Sequence, residues 1–134
     1  MAAIDAVGGI GLSHARRFRR SGIRTTEALL RRAATLEGRA DLAERLSVNE
    51  RELLELVLRI DLMRIRGLGT RYVDLLSAAG VSTAQELSTR DPDTLFAMMV
   101  QVNGRQGMVR RLPNLERVKA WVAEARTFQP LVEQ

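Results

Sequence analysis

The stretch Leu62-Met63-Arg64-Ile65-Arg66-Gly67-Leu68-Gly69-Thr70-Arg71-Tyr72-Val73-Asp74-Leu75-Leu76-Ser77-Ala78-Ala79-Gly80-Val81 decides the fold. It reads as the end of a helix, a Gly-apolar-Gly hairpin and a second helix closed by Gly80. Gly67 and Gly69 permit tight backbone geometry without a Cβ clash, and Leu68 between them is apolar and can plug the hairpin into a core. The helix that opens at Thr70 presents unpaired N–H groups at its start, where the helix dipole also favours negative charge.

The pattern occurs a second time, upstream. Ile4, Val7, Gly9, Ile10, Gly11, Phe18, Gly22, Ile23, Thr25 and Leu29 fall on Leu62, Ile65, Gly67, Leu68, Gly69, Leu76, Gly80, Val81, Thr83 and Leu87 at an offset of 58 residues. One Gly-x-Gly is a weak signal. Two, each with matched apolar flanks and a closing Gly-Ile or Gly-Val, point to internal duplication. The boundary lies between residues 61 and 62, giving a unit over 1–61 and another over 62–134. Between them there is no Pro-, Gly- or Ser-rich joint, so the two units are expected to pack as one body.

Working outward, residues 4–8 read as a short helix and Leu12 to Ser21 as a second, with Leu12, Ala15 and Phe18 inward and Gly22 as a left-handed cap. Thr25 or Thr26 caps the next helix. Residues 35–46 read as helical, with Leu36, Leu42, Ala43 and Leu46 inward. Ser47 to Glu50 has the form of a capping box, opening a helix to about Met63 that is apolar round most of its circumference and is expected to be the most buried. Ser82 or Thr83 caps a short helix to Ser88. Asp91-Pro92 opens another, which Asn103 to Gly107 is expected to break. Pro113-Asn114 opens the last helix, with Leu115, Val118, Trp121, Val122, Ala125 and Phe128 inward and Pro130 as its stop. No segment alternates as a strand does, so the fold class is all-α.

The chain of 134 residues is 46% apolar, enough for a core, and has no Cys, one His, one Trp and one Lys among its 21 basic residues. Without Cys, disulfides, thiolate metal sites and Cys nucleophiles are excluded. No apolar run reaches the roughly 18–20 residues of a membrane span, and Met1-Ala2-Ala3-Ile4-Asp5 lacks the order of a signal peptide; a cytoplasmic protein with no membrane partner is expected. Net charge is +5 and the sequence pI about 11.1. Residues 1–34 hold seven Arg against Asp5 and Glu27, a local excess that would attract an anionic partner; a solvated helix face would leave the same trace, and a GC-rich genome would favour Arg over Lys throughout the chain.

Both hairpins resemble the helix-hairpin-helix motif of DNA repair, recombination and replication proteins. From Ile4 to about Phe128 the chain also resembles a widespread domain-of-unknown-function family built from two such units, through both Gly-x-Gly hairpins, the Asp61-Leu62-Met63-Arg64-Ile65 junction and Arg110-Arg111-Leu112-Pro113. The resemblance implies an all-α, SAM-like fold whose hairpin N–H groups bind duplex DNA phosphates without reading sequence. A basic or hydroxyl residue two positions after the second Gly assists in that motif. Arg71 matches; Ser13 and the extra Gly8 depart from it in the first copy. The implied nucleic-acid-binding set is Gly9, Ile10, Gly11, Ser13, His14, Arg16, Arg17, Gly67, Leu68, Gly69, Thr70 and Arg71, with Arg19 and Arg20 adding long-range attraction.

The alternative is a protein-interaction adaptor or scaffold on the same fold, since fold does not imply function; it calls for an exposed apolar patch of a few hundred Å². His14 stands alone and reads as a surface residue, Met98 and Met99 as core filler, Asp91 and Asp93 as helix-start residues, and Trp121 as core. Tyr72, beside Arg71, is a candidate stacking residue. There is no Walker loop, no Ser-His-Asp set and no carboxylate cluster for two metals, and Lys119 is the sole lysine. No enzymatic activity, no cofactor and no metal are expected.

Overall fold

In the computed structural model, residues 3, 4 and 12–134 are described. They form eight helices: α1 (Leu12–Arg20), α2 (Thr26–Ala33), α3 (Leu36–Leu46), α4 (Glu50–Met63), α5 (Thr70–Ala78), α6 (Ala84–Ser88), α7 (Pro92–Gln106) and α8 (Leu115–Ala125). No strand occurs among the described residues; Ala3 and Thr25 form one isolated bridge. The expected first helix over residues 4–8 lies outside them apart from Ile4, which is fully buried. The chain divides into two compact units, residues 1–61 with 130–134, and residues 62–129.

In the first unit, Ala15, Phe18, Ile23, Leu29, Leu42, Leu53, Val57 and Ile60 are buried, and α2 packs on α3. Thr25 caps α2, its hydroxyl accepting from the Ala28 N–H at 3.1 Å; Thr35 caps α3 through the Gly38 N–H at 2.9 Å. Three sequence expectations are corrected here. Leu36, expected inward, is 51% exposed, and Arg39 on the same helix is 1% exposed instead. Arg39 donates to the carbonyls of Ala33 at 3.0 Å, Ala34 at 3.2 Å and Glu133 at 2.5 Å, so burial of its cation is tolerable because both terminal nitrogens are bonded to carbonyls. Ser47 is not the N-cap of α4 but the left-handed end of α3 (φ 53°); Asn49 does the capping, its Oδ1 accepting from the N–H groups of Arg51 at 2.8 Å and Glu52 at 3.1 Å. In α4, burial is confined to the stripe Leu53, Val57, Ile60, Asp61 and Leu62, with Leu54, Leu56 and Leu58 only half-buried.

Residues 130–134 return to this unit through Glu133, whereas the repeat boundary alone assigns them to the second. The Glu133 N–H donates to the Ala34 carbonyl at 2.8 Å, and its carboxylate accepts from the Leu36 N–H at the start of α3 at 2.9 Å. The carbonyl that meets Arg39 completes the attachment.

The second unit has its own core of Leu62, Ile65, Leu68, Val73, Leu75, Leu76, Val81, Leu87, Leu95, Met99, Val118, Trp121, Val122 and Ala125. α7 packs on α5 and α8, and α6 packs on α8. Thr83, Asp91 and Asn114 cap α6, α7 and α8 through the N–H groups of Glu86, Thr94 and Arg117. α7 runs through Asn103 and Gly104, where a break was expected. The Asn103 side chain points away from its own helix, donating to the Val109 carbonyl at 3.1 Å and accepting from the Val109 N–H at 2.9 Å. Gly107, left-handed at φ 59°, ends the helix. α8 stops at Ala125, before Pro130, and Phe128 packs half-buried against the core from the segment that follows.

The residues paired by the offset of 58 make the same bonds. Ile23 N–H donates to the Phe18 carbonyl and Val81 N–H to the Leu76 carbonyl, both at 2.8 Å; Gly22 N–H donates to Arg19 and Gly80 N–H to Ser77, both at 3.0 Å. Gly22 and Gly80 stand at φ 84° and 95°, a region that costs other residues roughly 1–2 kcal/mol.

Candidate functional site

Between α4 and α5 the chain turns through Ile65 to Gly69. The Ile65 N–H donates to the Leu62 carbonyl and the Leu68 N–H to the Ile65 carbonyl, each at 3.1 Å. Gly67 takes φ 84° at the exposed tip. Leu68, at 3% exposure, is driven into the core of the second unit, which fixes the turn from beneath. Gly69 is the N-cap of α5, with extended backbone (φ −86°, ψ 179°) and no side chain to cap with. The Val73 N–H returns to the Gly69 carbonyl at 3.0 Å, but the N–H groups of Arg71 and Tyr72 have no carbonyl within α5 to bond. The Arg71 side chain is exposed and Thr70 half-buried.

The turn already holds a carboxylate. Glu124 of α8 accepts from the Arg66 N–H through Oε1 at 3.3 Å and Oε2 at 3.4 Å. A second α8 residue, Arg117, is exposed; its guanidinium lies 5.4 Å from the Tyr72 ring centroid and 5.6 Å from that of Trp121. Those two rings lie 5.5 Å apart, tilted by 48°. A Cβ on Gly67 would stand 3.2 Å from Arg117 Nη2 and 3.5 Å from Trp121 Nε1. Sequence reading missed Arg117 as a neighbour of the turn, because 50 residues separate it from Gly67 and only the packing of α8 unites them. Tyr72 is half-buried and its hydroxyl donates to the Arg111 carbonyl at 3.0 Å, so it is anchored rather than open for stacking.

A family model described as a domain of unknown function (DUF4332) matches residues 8–128 of the 134. The chain belongs to the DUF4332 family. Neither the curated proteins nor the solved structures yield a match.

Of the residues singled out in this DUF4332 chain, Gly9, Ile10 and Gly11 lie outside the described residues, and Ser13 is described only as part of the α1 backbone. His14 is half-buried and Arg16 exposed. Arg17 has a partner that sequence reading did not foresee. Its Nη1 donates to the carbonyls of Leu46 at 3.3 Å and Ser47 at 3.2 Å, covering the negative end of α3. Gly67, Leu68, Gly69, Thr70 and Arg71 come together at one turn in the second unit.

Charge follows the units differently from the segment count. The first unit holds eleven basic and ten acidic residues, because acids of α3 and α4 offset the Arg cluster of α1; the second holds ten basic and six acidic, a net +4. The excess therefore accompanies the Gly67 turn. No group of three or more His, Cys, Asp or Glu able to hold a metal ion occurs among the described residues, and no described helix is long and apolar enough to cross a membrane.

Proposed function

We propose that this DUF4332 chain is a non-enzymatic binder of nucleic acid that contacts the duplex backbone without reading sequence, through its two helix-hairpin-helix-like turns. The observation that carries the reading is the Gly67 turn: an exposed glycine tip anchored by buried Leu68, followed at once by a helix start with unfilled N–H groups and by exposed Arg71. Phosphate oxygens suit such a place, since amide donors and the helix dipole both favour an anion. The Glu124 carboxylate on the Arg66 N–H indicates that the turn accepts anionic oxygen. The +4 charge of the second unit supplies attraction at a distance,. Gly9, Ile10, Gly11 and Ser13 would supply the matching contact in the first copy, with Arg16 beside it.

Arg71→Ala tests the reading. Fluorescence anisotropy with several unrelated duplexes should show affinity falling by a similar factor for all of them, with the salt slope reduced by about one. Loss confined to one sequence, or no binding by the wild-type chain at low salt, would refute it, and the second outcome would turn attention to the adaptor reading.

A further inference from the structure

The space over Gly67 is lined by two donors and contains no acceptor. Trp121 is 2% exposed as a whole residue, but its Nε1 is not among the fully buried side-chain atoms that lack a partner, so this edge of the ring opens to the surface beside the Gly67 tip. A surface-facing indole N–H is a donor only, and beside a guanidinium it suits an anionic acceptor. Nε1 stands 3.5 Å from the place where a Cβ on Gly67 would be, and Arg117 Nη2 stands 3.2 Å from the same place. Glycine leaves that place empty. An oxygen seated close to it would accept from the indole and the guanidinium together.

Resting on the binding role proposed above, we infer that this cradle of Gly67, Arg117 and Trp121 seats one phosphate oxygen of the nucleic-acid backbone. The Arg117 guanidinium lies against the Tyr72 and Trp121 rings, so its donors are held in place before the ligand arrives, which lowers the ordering cost of binding. Tyr72 is itself fixed by the Arg111 carbonyl. Arg66 and Arg71, both exposed on either side of Gly67 and Gly69, outweigh with Arg117 the single Glu124 carboxylate on the turn and favour a phosphate over a neutral acceptor. Glu124 occupies the Arg66 N–H, leaving the two α8 donors and not that amide as the groups open to a ligand.

The only tryptophan of the chain is part of the cradle, so its emission reports occupancy. Inorganic phosphate and a labelled random-sequence duplex are titrated separately into the full chain, following Trp121 emission and, for the duplex, anisotropy. Both probes should change the emission saturably, the duplex at far lower concentration. Arg117→Gln, a change at an exposed site, should weaken both by about tenfold or more, as expected for a charge-assisted hydrogen bond. Trp121→Phe keeps the ring stack and removes the N–H; it should weaken duplex binding by anisotropy about fivefold, the value of a neutral donor. Emission that neither probe changes, or affinities that Arg117→Gln leaves unaltered, would overturn the inference. Duplex binding by anisotropy without any tryptophan response would refute the cradle and leave the nucleic-acid role standing. A phosphate response without duplex binding would do the reverse.

Discussion

Gly69→Asp separates the architecture of the α5 start from its proposed use. Gly69 is an N-cap whose backbone is extended, a region any residue adopts, and a Cβ there meets no atom within 4 Å. An aspartate therefore fits, and its carboxylate reaches the N–H groups of Arg71 or Tyr72. Replacing Gly by a capping side chain contributes a few tenths of a kcal/mol, a negative charge at the helix start about 0.3–1 kcal/mol, and the loss of glycine's freedom in the unfolded chain about 0.4–1 kcal/mol. The sum is a gain of about 1–2 kcal/mol, or a rise in Tm of about 4–7 °C for a chain of this size. The same carboxylate occupies the amides offered to phosphate and repels it. Duplex affinity should fall by about tenfold or more, the worth of one charge-assisted hydrogen bond. A thermal melt and an anisotropy titration on one preparation measure both. A stabilised variant that binds duplex as the wild type does would refute the placing of phosphate at this helix start. A lowered Tm would refute the cap geometry itself.

Other outcomes follow from single contacts. Gly22→Ala and Gly67→Ala impose the same left-handed strain, about 1–2 kcal/mol, since both glycines stand at φ 84°. A Cβ at Gly22 meets nothing within 4 Å, whereas one at Gly67 presses on Arg117, so denaturant melts should rank Gly67→Ala as the more destabilised. Arg39→Met should cost about 2–3 kcal/mol in the same assay, because the buried carbonyl of Ala33 and the part-buried one of Glu133 lose their charged donor,; an unchanged midpoint would contradict the role given to this side chain. The Thr94 hydroxyl and then the Thr94 N–H hold the Asp91 carboxyl below its ordinary value of 3.8. A folded value below the unfolded one means the cap's contribution is present above about pH 4 and is lost as pH falls through the lowered value. An NMR titration of Asp91 should place its midpoint below 3.8, and Thr94→Val should raise it.

The features legible in the sequence were those set by short-range bonds. Thr25, Thr83, Asp91 and Asn114 cap helices by reaching an N–H three residues on, and both partners lie in one short stretch of chain. Leu68 was readable as a plug because an apolar residue between two glycines has one place to go. Tertiary competition hid the rest. Asn103-Gly104 looks like a helix breaker, but Asn103 spends its side chain on Val109 and the backbone continues as helix. Ser47 with Glu50 mimics a capping box, yet the preceding helix ends through Ser47 and hands the cap to Asn49. An arginine on an amphipathic helix is assigned to solvent, and nothing local to α3 reveals that Glu133, 94 residues away, makes burial of Arg39 acceptable. The candidate site was half legible for the same reason. The turn and Arg71 could be read, while Arg117, Trp121 and Glu124 join it only because α8 packs beside it.

The measurement that bears most directly on the central claim is the duplex affinity of the full chain across a salt series. Log affinity should fall linearly with log salt, by about 0.9 for each phosphate neutralised on a duplex, and it should do so equally for unrelated sequences. An affinity indifferent to salt, or no binding at the lowest salt despite a net charge of +5, would contradict it.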